Sequence, residues 1–257
     1  MKKIIAILLT LATLILSVAC SGGNTQNDQS DSLNVEQGII HPCDYSYEIA
    51  EKTDILYETD GARSSKCLRY PVISGIEDAL IQDEINKTFI EVAENQFVHL
   101  VPDIEIYEME GTMFNYEVTK VEMTYLSNTY ASVRSTVSFM SAMDPSPKEA
   151  VYTQNVSLIN GDIIEEDEIF ADFTSIAGKF IAGEFTQIYG AENLLENTSY
   201  EDMILQYNSD YASFPEVCFT SDKFIINIDL ISALGTSAGF EIALSEVDEF
   251  LNFNPTK

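Results

Sequence analysis

"MFNYEVTKVEMTYLSNTYASVRSTVSFM", residues 113–140, decides the fold. Two β-rich stretches, 113–125 and 130–140, are separated only by Leu126-Ser127-Asn128-Thr129, so they are expected to pair as an antiparallel hairpin. In the second stretch Ala131, Val133, Ser135, Val137 and Phe139 share one face, while Ser132, Arg134, Thr136 and Ser138 share the other. The alternation predicts a sheet with one face on a core and the other in water.

Working outward, residues 45–57 and 67–73 read as strands of a hairpin around Asp60-Gly61. A helix over 76–97 follows, with Ser74 and Glu77 as a capping box and Ile81, Ile85, Phe89, Val92 or Ala93, and Gln96 or Phe97 at helical spacing. Downstream, 150–158 is a third strand ending at Asn160-Gly161, a strong hairpin signal because both residues tolerate positive φ. Residues 173–190 place Ile176, Phe180, Ile181, Phe185 and Ile188 on one stripe, predicting a second amphipathic helix that Gly190 ends. A short helix is expected at 200–207, strands at 216–220, 224–231 and 240–244, and a last helix at 245–251. The near-continuous apolar run "DKFIINIDLI" (222–231) fits a central strand covered on one face by a helix. The expected class is α+β: antiparallel sheets with amphipathic helices packed on one face.

The N-terminus carries Lys2 and Lys3, an apolar run from Ile4 to Leu16, and then "LILSVACSGGN" (14–24). That run suits a secretory signal of ~7–15 apolar residues and is short of the ~20 needed to span a bilayer. Small residues at Ser17 and Ala19 before Cys20 are similar to the lipobox of bacterial lipoproteins, although Ser17 stands where an aliphatic residue is usual. The expectation is a lipoprotein signal peptide over 1–19, lipidation at Cys20, and a polar tether over 20–35. Beyond it come a strand-helix part over 36–110 and a β-rich part over 111–257. Ordinary secretion with Cys20 near the cut is the alternative.

Charge sets the partner class. Thirteen Lys and Arg face 42 Asp and Glu, a net charge of −29, which falls to −31 if Lys2 and Lys3 leave with the leader. Such a surface excludes nucleic acid and is repelled by anionic lipid headgroups, so a lipid would have to do the anchoring. It attracts cationic partners, through three acidic patches: 105–110, with Glu108 and Glu110; 165–168, with Glu166 and Asp167; and 241–249. Solubility alone is the competing reading of the same charge.

Few residues offer catalysis. There are two histidines, His41 and His99, and no tryptophan. His99, between apolar neighbours in "QFVHLVPD", reads as a partly buried structural residue. No nucleophile elbow, dinucleotide fingerprint, P-loop, zincin or CxxC motif occurs, so no catalytic residue, metal ligand or cofactor is assigned. The run 165–168 lacks the spacing and glycine of a calcium loop and reads as a solvated acidic turn. Carboxylate pairs for glycan hydrolysis remain open, although the absence of tryptophan removes the commonest sugar platform. Of the cysteines after Cys20, Cys218 reads as a buried thiol. Cys43 and Cys67 are candidates for a disulfide, but the hairpin register would place Cys67 opposite residues near 55.

The segments "RYPVISGIEDALIQDEINKTF" (69–89), "YLSNTYASVRSTVSFM" (125–140), "VYTQNVSLINGDIIEEDEIF" (151–170) and "FTSDKFIINIDLISALGTSAGFEIALSEV" (219–247) resemble, in order and spacing, a known family. It is the extracellular region of the anti-sigma-V factor RsiV, shared with the non-catalytic front half of the peptidoglycan deacetylase PdaC. The resemblance covers most of residues 45–250. The family's Gly-Gly-Ala-His element is replaced here by Met140-Ser141-Ala142-Met143-Asp144-Pro145, so any role of that element does not carry over. What the resemblance implies is a non-enzymatic, RsiV-like binding or sensing module. Together with the lipobox-like Cys20 and the acidic charge, the expectation is a module lipid-anchored on the outer face of a bacterial membrane that recognises lysozyme, another cationic extracellular protein, or cell-wall glycan. A wall-active carboxylate-dependent hydrolase and a purely structural envelope lipoprotein are the alternatives.

Replacing Cys20 with Ser is expected to move the protein from the membrane fraction to the supernatant without altering its fold. Membrane retention of the Cys20→Ser protein after a salt wash would refute lipidation.

Overall fold

The computed structural model describes residues 43–59, 62–101, 113–141, 147–207, 214–230 and 236–256. The expected leader, tether, Cys20, His41, Glu108 and Glu110 lie outside the described residues.

Nine strands and five α-helices are described, arranged as two sheets in an α+β fold. The hairpin of β1 (Ser46–Thr59) and β2 (Ala62–Ser74) forms as its sequence predicts. Its register sets Cys67 opposite Thr53, while Cys43 precedes β1 and directs its thiol to the Tyr45 carbonyl at 3.5 Å. The candidate bridge is therefore not made, in keeping with the register argument against it, and both residues are free thiols.

Helix α1 (Ala79–Leu100) begins later than its capping-box expectation. Asp78 is the N-cap, its carboxylate accepting from Leu80 N at 2.9 Å and Ile81 N at 3.4 Å. Ser74 instead ends β2, and Gly75, at φ +99°, turns the chain away before a helix can start. The side-chain oxygen of Gln82 then takes the N–H groups of Gly75 and Ile76 at 3.1 and 3.2 Å. Ile85, Phe89, Ala93 and Phe97, four residues apart, form the buried stripe.

β3 (Phe114–Leu126), β4 (Tyr130–Ser141) and β5 (Lys148–Ser157) complete a first sheet in sequential order, with the β3–β4 hairpin pairing as expected. This sheet crosses the 110/111 boundary between the two expected parts of the chain. β2 and β3 pair in parallel over Ser65–Cys67 and Asn115–Glu117, a geometry that needs a crossover connection, and α1 lies in it. The helix packs on the sheet through Ile73, Leu68, Tyr116, Val118, Val133, Val137, Tyr152 and Val156.

Asn86 fixes that docking. Its side-chain oxygen accepts from Ile73 N at 2.8 Å, and its amide donates to Ile73 O at 3.0 Å. The side chain thus pairs with β2 as a neighbouring strand would, in a stretch beyond the short β2–β3 ladder.

The second half comprises α2 (Glu166–Ile169), α3 (Phe173–Ile181), β6 (Thr186–Tyr189), α4 (Leu194–Asn197), α5 (Tyr200–Ile204), β7 (Glu216–Phe219), β8 (Lys223–Asp229) and β9 (Ser237–Ala243). Two 3-10 turns, Leu244–Glu246 and Asp248–Phe250, replace the expected terminal helix. The helix expected over 173–190 also stops early. α3 ends at Ile181, Gly183 reverses the chain at φ +74°, and β6 finds backbone partners on β9 rather than in a further helical turn. Phe185 nevertheless stays buried against Phe180, so the apolar stripe continues in space across a change of backbone. Strands run in the order β6-β9-β8-β7, all antiparallel, and the expected central strand β8 is interior. Phe224, Ile226 and Phe240 share a core with Phe173, Ile176 and Phe180 of α3 and with Met203 and Ile204 of α5.

The face of β4 expected to be wet is covered in part by this second sheet. Ser132 is fully buried, its hydroxyl donating to Asn155 Oδ1 at 2.8 Å and accepting from Phe219 N at 3.1 Å. Arg134 is held by Glu122 through Nε and Nη2 at 3.0 and 2.7 Å, and its guanidinium lies over the Tyr189 ring at 5.1 Å. Tyr189 donates to Asn227 Oδ1 at 2.7 Å and packs against Gly239, where an added Cβ would sit 2.0 Å from a ring carbon. Cys218 is buried on this interface, as expected. His99, by contrast, is exposed in the last turn of α1, because the apolar stripe of the helix passes through Phe97 instead.

Asn86→Ala leaves both polar groups of buried Ile73 without their partner and is expected to cost about 2 kcal/mol, read by urea denaturation. A loss within error of zero would mean the pairing contributes nothing to docking α1.

Candidate functional site

β5 is the outer strand of the first sheet, and most of one edge must be satisfied from outside it. The chain that follows does so locally. After a turn at Leu158–Asn160, Gly161 takes φ +81°, Ser157 N donates to Asp162 O at 2.9 Å, and Ile164 N donates to Asn155 O at 2.7 Å. Gly161 also packs on α1, its carbonyl accepting from Thr88 Oγ1 at 2.9 Å. The loop is thereby fixed opposite the helix, and a groove of about 540 Å³ lies between them.

Five carboxylates line this groove: Glu84 and Glu91 from α1, and Asp162, Glu165 and Glu168 from the loop and α2. Lys87 neutralises part of the helix side, at 3.2 Å from Glu84 and 3.5 Å from Glu91. The acidic run proves to be a one-turn helix in which Glu168 accepts from Glu165 N at 3.1 Å. Asp167 is exposed and does not line the groove.

At the β5 edge the groove is continuous with a smaller cleft of about 190 Å³, the two sharing Val92, Asn95, Ile163 and Glu165. Glu166 enters it from α2 and Glu216 from the start of β7. Glu216 Oε2 accepts from Thr153 N at 2.6 Å and from Thr153 Oγ1 at 2.7 Å, capping the next free N–H of β5. Burial raises the Glu216 carboxyl to about 7, with the neighbouring charge of Glu166 adding to the effect and the Thr153 hydrogen bonds opposing it. Burial first, and then the charges of Glu165 and Asp167, also raise Glu166, against a backbone hydrogen bond that lowers it. Gln154, 2% exposed, lines the same cleft with a side-chain oxygen that has no hydrogen-bond partner among the described residues.

The structure thus brings Glu166 together with two residues the sequence reading missed, Glu216 and Gln154. Their signal was faint: Glu216 is a lone charge opening the apolar run "EVCF", and Gln154 is a polar residue within a strand that is buried on both faces. Of the other patches, Glu241 lies on β9, 3.6 Å from Lys223, away from this cleft. No group of three or more His, Cys, Asp and Glu side chains able to hold a metal occurs among the described residues. Chemically, the cleft offers acceptors and negative charge to a donor that is itself positive.

A buried carboxyl raised above its unfolded value of about 4.5 binds its proton more tightly in the folded state, so its contribution to stability is full below that value and is lost as pH rises through about 7. Glu216→Gln is expected to flatten the stability profile over that window, removing a pH-dependent loss of at most about 3 kcal/mol. Urea denaturation at intervals between those two pH values reads it, and superimposable profiles for the two proteins would show that Glu216 does not titrate there.

No protein-family model matches the chain, and no curated protein matches it either.

Proposed function

We propose that the chain is a non-enzymatic binding or sensing module for a cationic extracellular protein, lysozyme being the candidate that its RsiV-like resemblance suggests. It would be held at the outer face of a bacterial membrane by a lipid on Cys20. The observation that carries this reading is the groove between α1 and the loop after β5, lined by five carboxylates of which Lys87 neutralises only the helix side. The net charge of −29 supports it, since complementary fields accelerate encounter with a basic partner. Cell-wall glycan is a weaker candidate for this groove, because a neutral or anionic sugar gains nothing from its charge.

A second reading, a carboxylate-dependent wall hydrolase, draws on one feature: a carboxyl raised to about 7 beside a second carboxylate is a suitable proton donor near neutrality. Against it, Thr153 already occupies Glu216 Oε2 with two donors. Release of soluble fragments from peptidoglycan, abolished by Glu216→Gln, would favour the hydrolase.

For the binding reading, the test is Glu84→Lys together with Glu91→Lys on the exposed flank of α1. Affinity for lysozyme is expected to fall at least about tenfold at low salt, and that for an unrelated protein of equal basicity by no more than about threefold. Wild-type binding should also weaken as salt shortens the screening length from about 30 Å to about 8 Å. Equal losses for both proteins would reduce the surface to general polyanion attraction.

A further inference from the structure

We propose that the 190 Å³ cleft at the β5 edge is a socket for one long basic side chain, a lysine ammonium or arginine guanidinium, presented by the cationic partner. The proposal rests on the binding reading above and says where on the groove recognition is made.

Carboxylates and amides line the cleft together. Gln154 brings a side-chain oxygen, buried to 2% exposure, that no described donor reaches. A buried acceptor left unpaired is unfavourable, and an incoming N–H group would satisfy it. Glu216 has Oε2 engaged by both donors of Thr153, so its Oε1 is the oxygen left to a further donor. Glu166 adds a second carboxylate, and among the described residues no lining side chain is basic. The neighbouring cations are committed elsewhere: Lys87 to Glu84 and Glu91, and Arg134 to Glu122.

The walls match the rest of such a side chain. Val92 of α1 and Ile163 and Ile164 of the loop present apolar surface beside the carboxylates. Lysine and arginine carry a polar head on a methylene stem and bury that stem along apolar surface. An alkyl stem between Val92 and the two isoleucines would bring its head to Gln154, Glu166 and Glu216. A divalent metal ion fits less well, since no group of three metal-ligating side chains is present among the described residues. The raised carboxyls are consistent with a site that lacks a counter-ion until a cation arrives.

The experiment uses the full chain, isotopically labelled, titrated to millimolar concentration with N-acetyl-lysine amide, N-acetyl-arginine amide and, as a neutral control, N-acetyl-glutamine amide. The socket predicts saturable shifts at the Thr153 amide and the Gln154 side-chain amide with a basic probe, and none with the neutral one. No saturable shift at these groups with either basic probe overturns it. In parallel, lysozyme affinity is measured for Gln154→Leu, Gln154→Glu and Glu216→Gln. At least a tenfold loss in folded Gln154→Leu, with Gln154→Glu binding as well as wild type or better, supports the socket. Unchanged affinity in all three variants, with weakening only in the Glu84 and Glu91 double variant, overturns the socket while leaving the partner reading intact. Probe shifts at Gln154 in a protein that never binds lysozyme support the socket and overturn that partner instead.

Discussion

The constraint on which the structure depends is that the polar face of the first sheet is buried and must still find hydrogen bonds. Asn155 meets the part of it that faces β7. Its side-chain oxygen accepts from Tyr130 Oη at 2.5 Å and Ser132 Oγ at 2.8 Å, and its amide donates to Val217 O at 2.8 Å. Ser132 then passes the connection to Phe219 N. One buried residue therefore joins β4, β5 and β7, and the second sheet is fitted to the first by directional bonds where an apolar seam would allow sliding. The hydrophobic cores lie to either side of this layer, under α1 and around α3.

The groove follows from the same geometry at the strand edge. Residues 162–164 cover part of β5, and Glu216 covers its next free N–H with a carboxylate. Covering an edge with a loop and a charged group is a common protection against unwanted pairing. Here it also draws two carboxylates into a restricted space, so that the device that finishes the sheet produces the site's charge.

Much of the fold is legible in the sequence because alternation and helical spacing dominate where packing is one-sided. The β1–β2 and β3–β4 hairpins, α1 and the interior strand β8 all carry such patterns. What escapes is decided by partners distant along the chain. Residues 184–190 continue a helical stripe, yet β9 claims their backbone. The back face of β4 has the composition of a wet surface and is buried because Asn155 and Phe219 meet its hydroxyls. Within the site, Glu166 was visible as part of a charge run, whereas Glu216 acquires its meaning from Thr153, 63 residues away.

The contact of Tyr189 with Gly239 has a reach well beyond its own sheet. Tyr189 lies on one side of the Arg134 guanidinium and Glu122 holds it from another, so an edge strand of the second sheet and the middle of the first share a single cation. Any side chain at position 239 would lift the ring, loosen Asn227 from its hydroxyl and unseat the arginine. A methyl group added there would register as an electrostatic change on β3, one sheet away. The space at position 239 is thus set by a ring from β6, and through that ring it bears on how the second sheet meets the Arg134–Glu122 pair of the first.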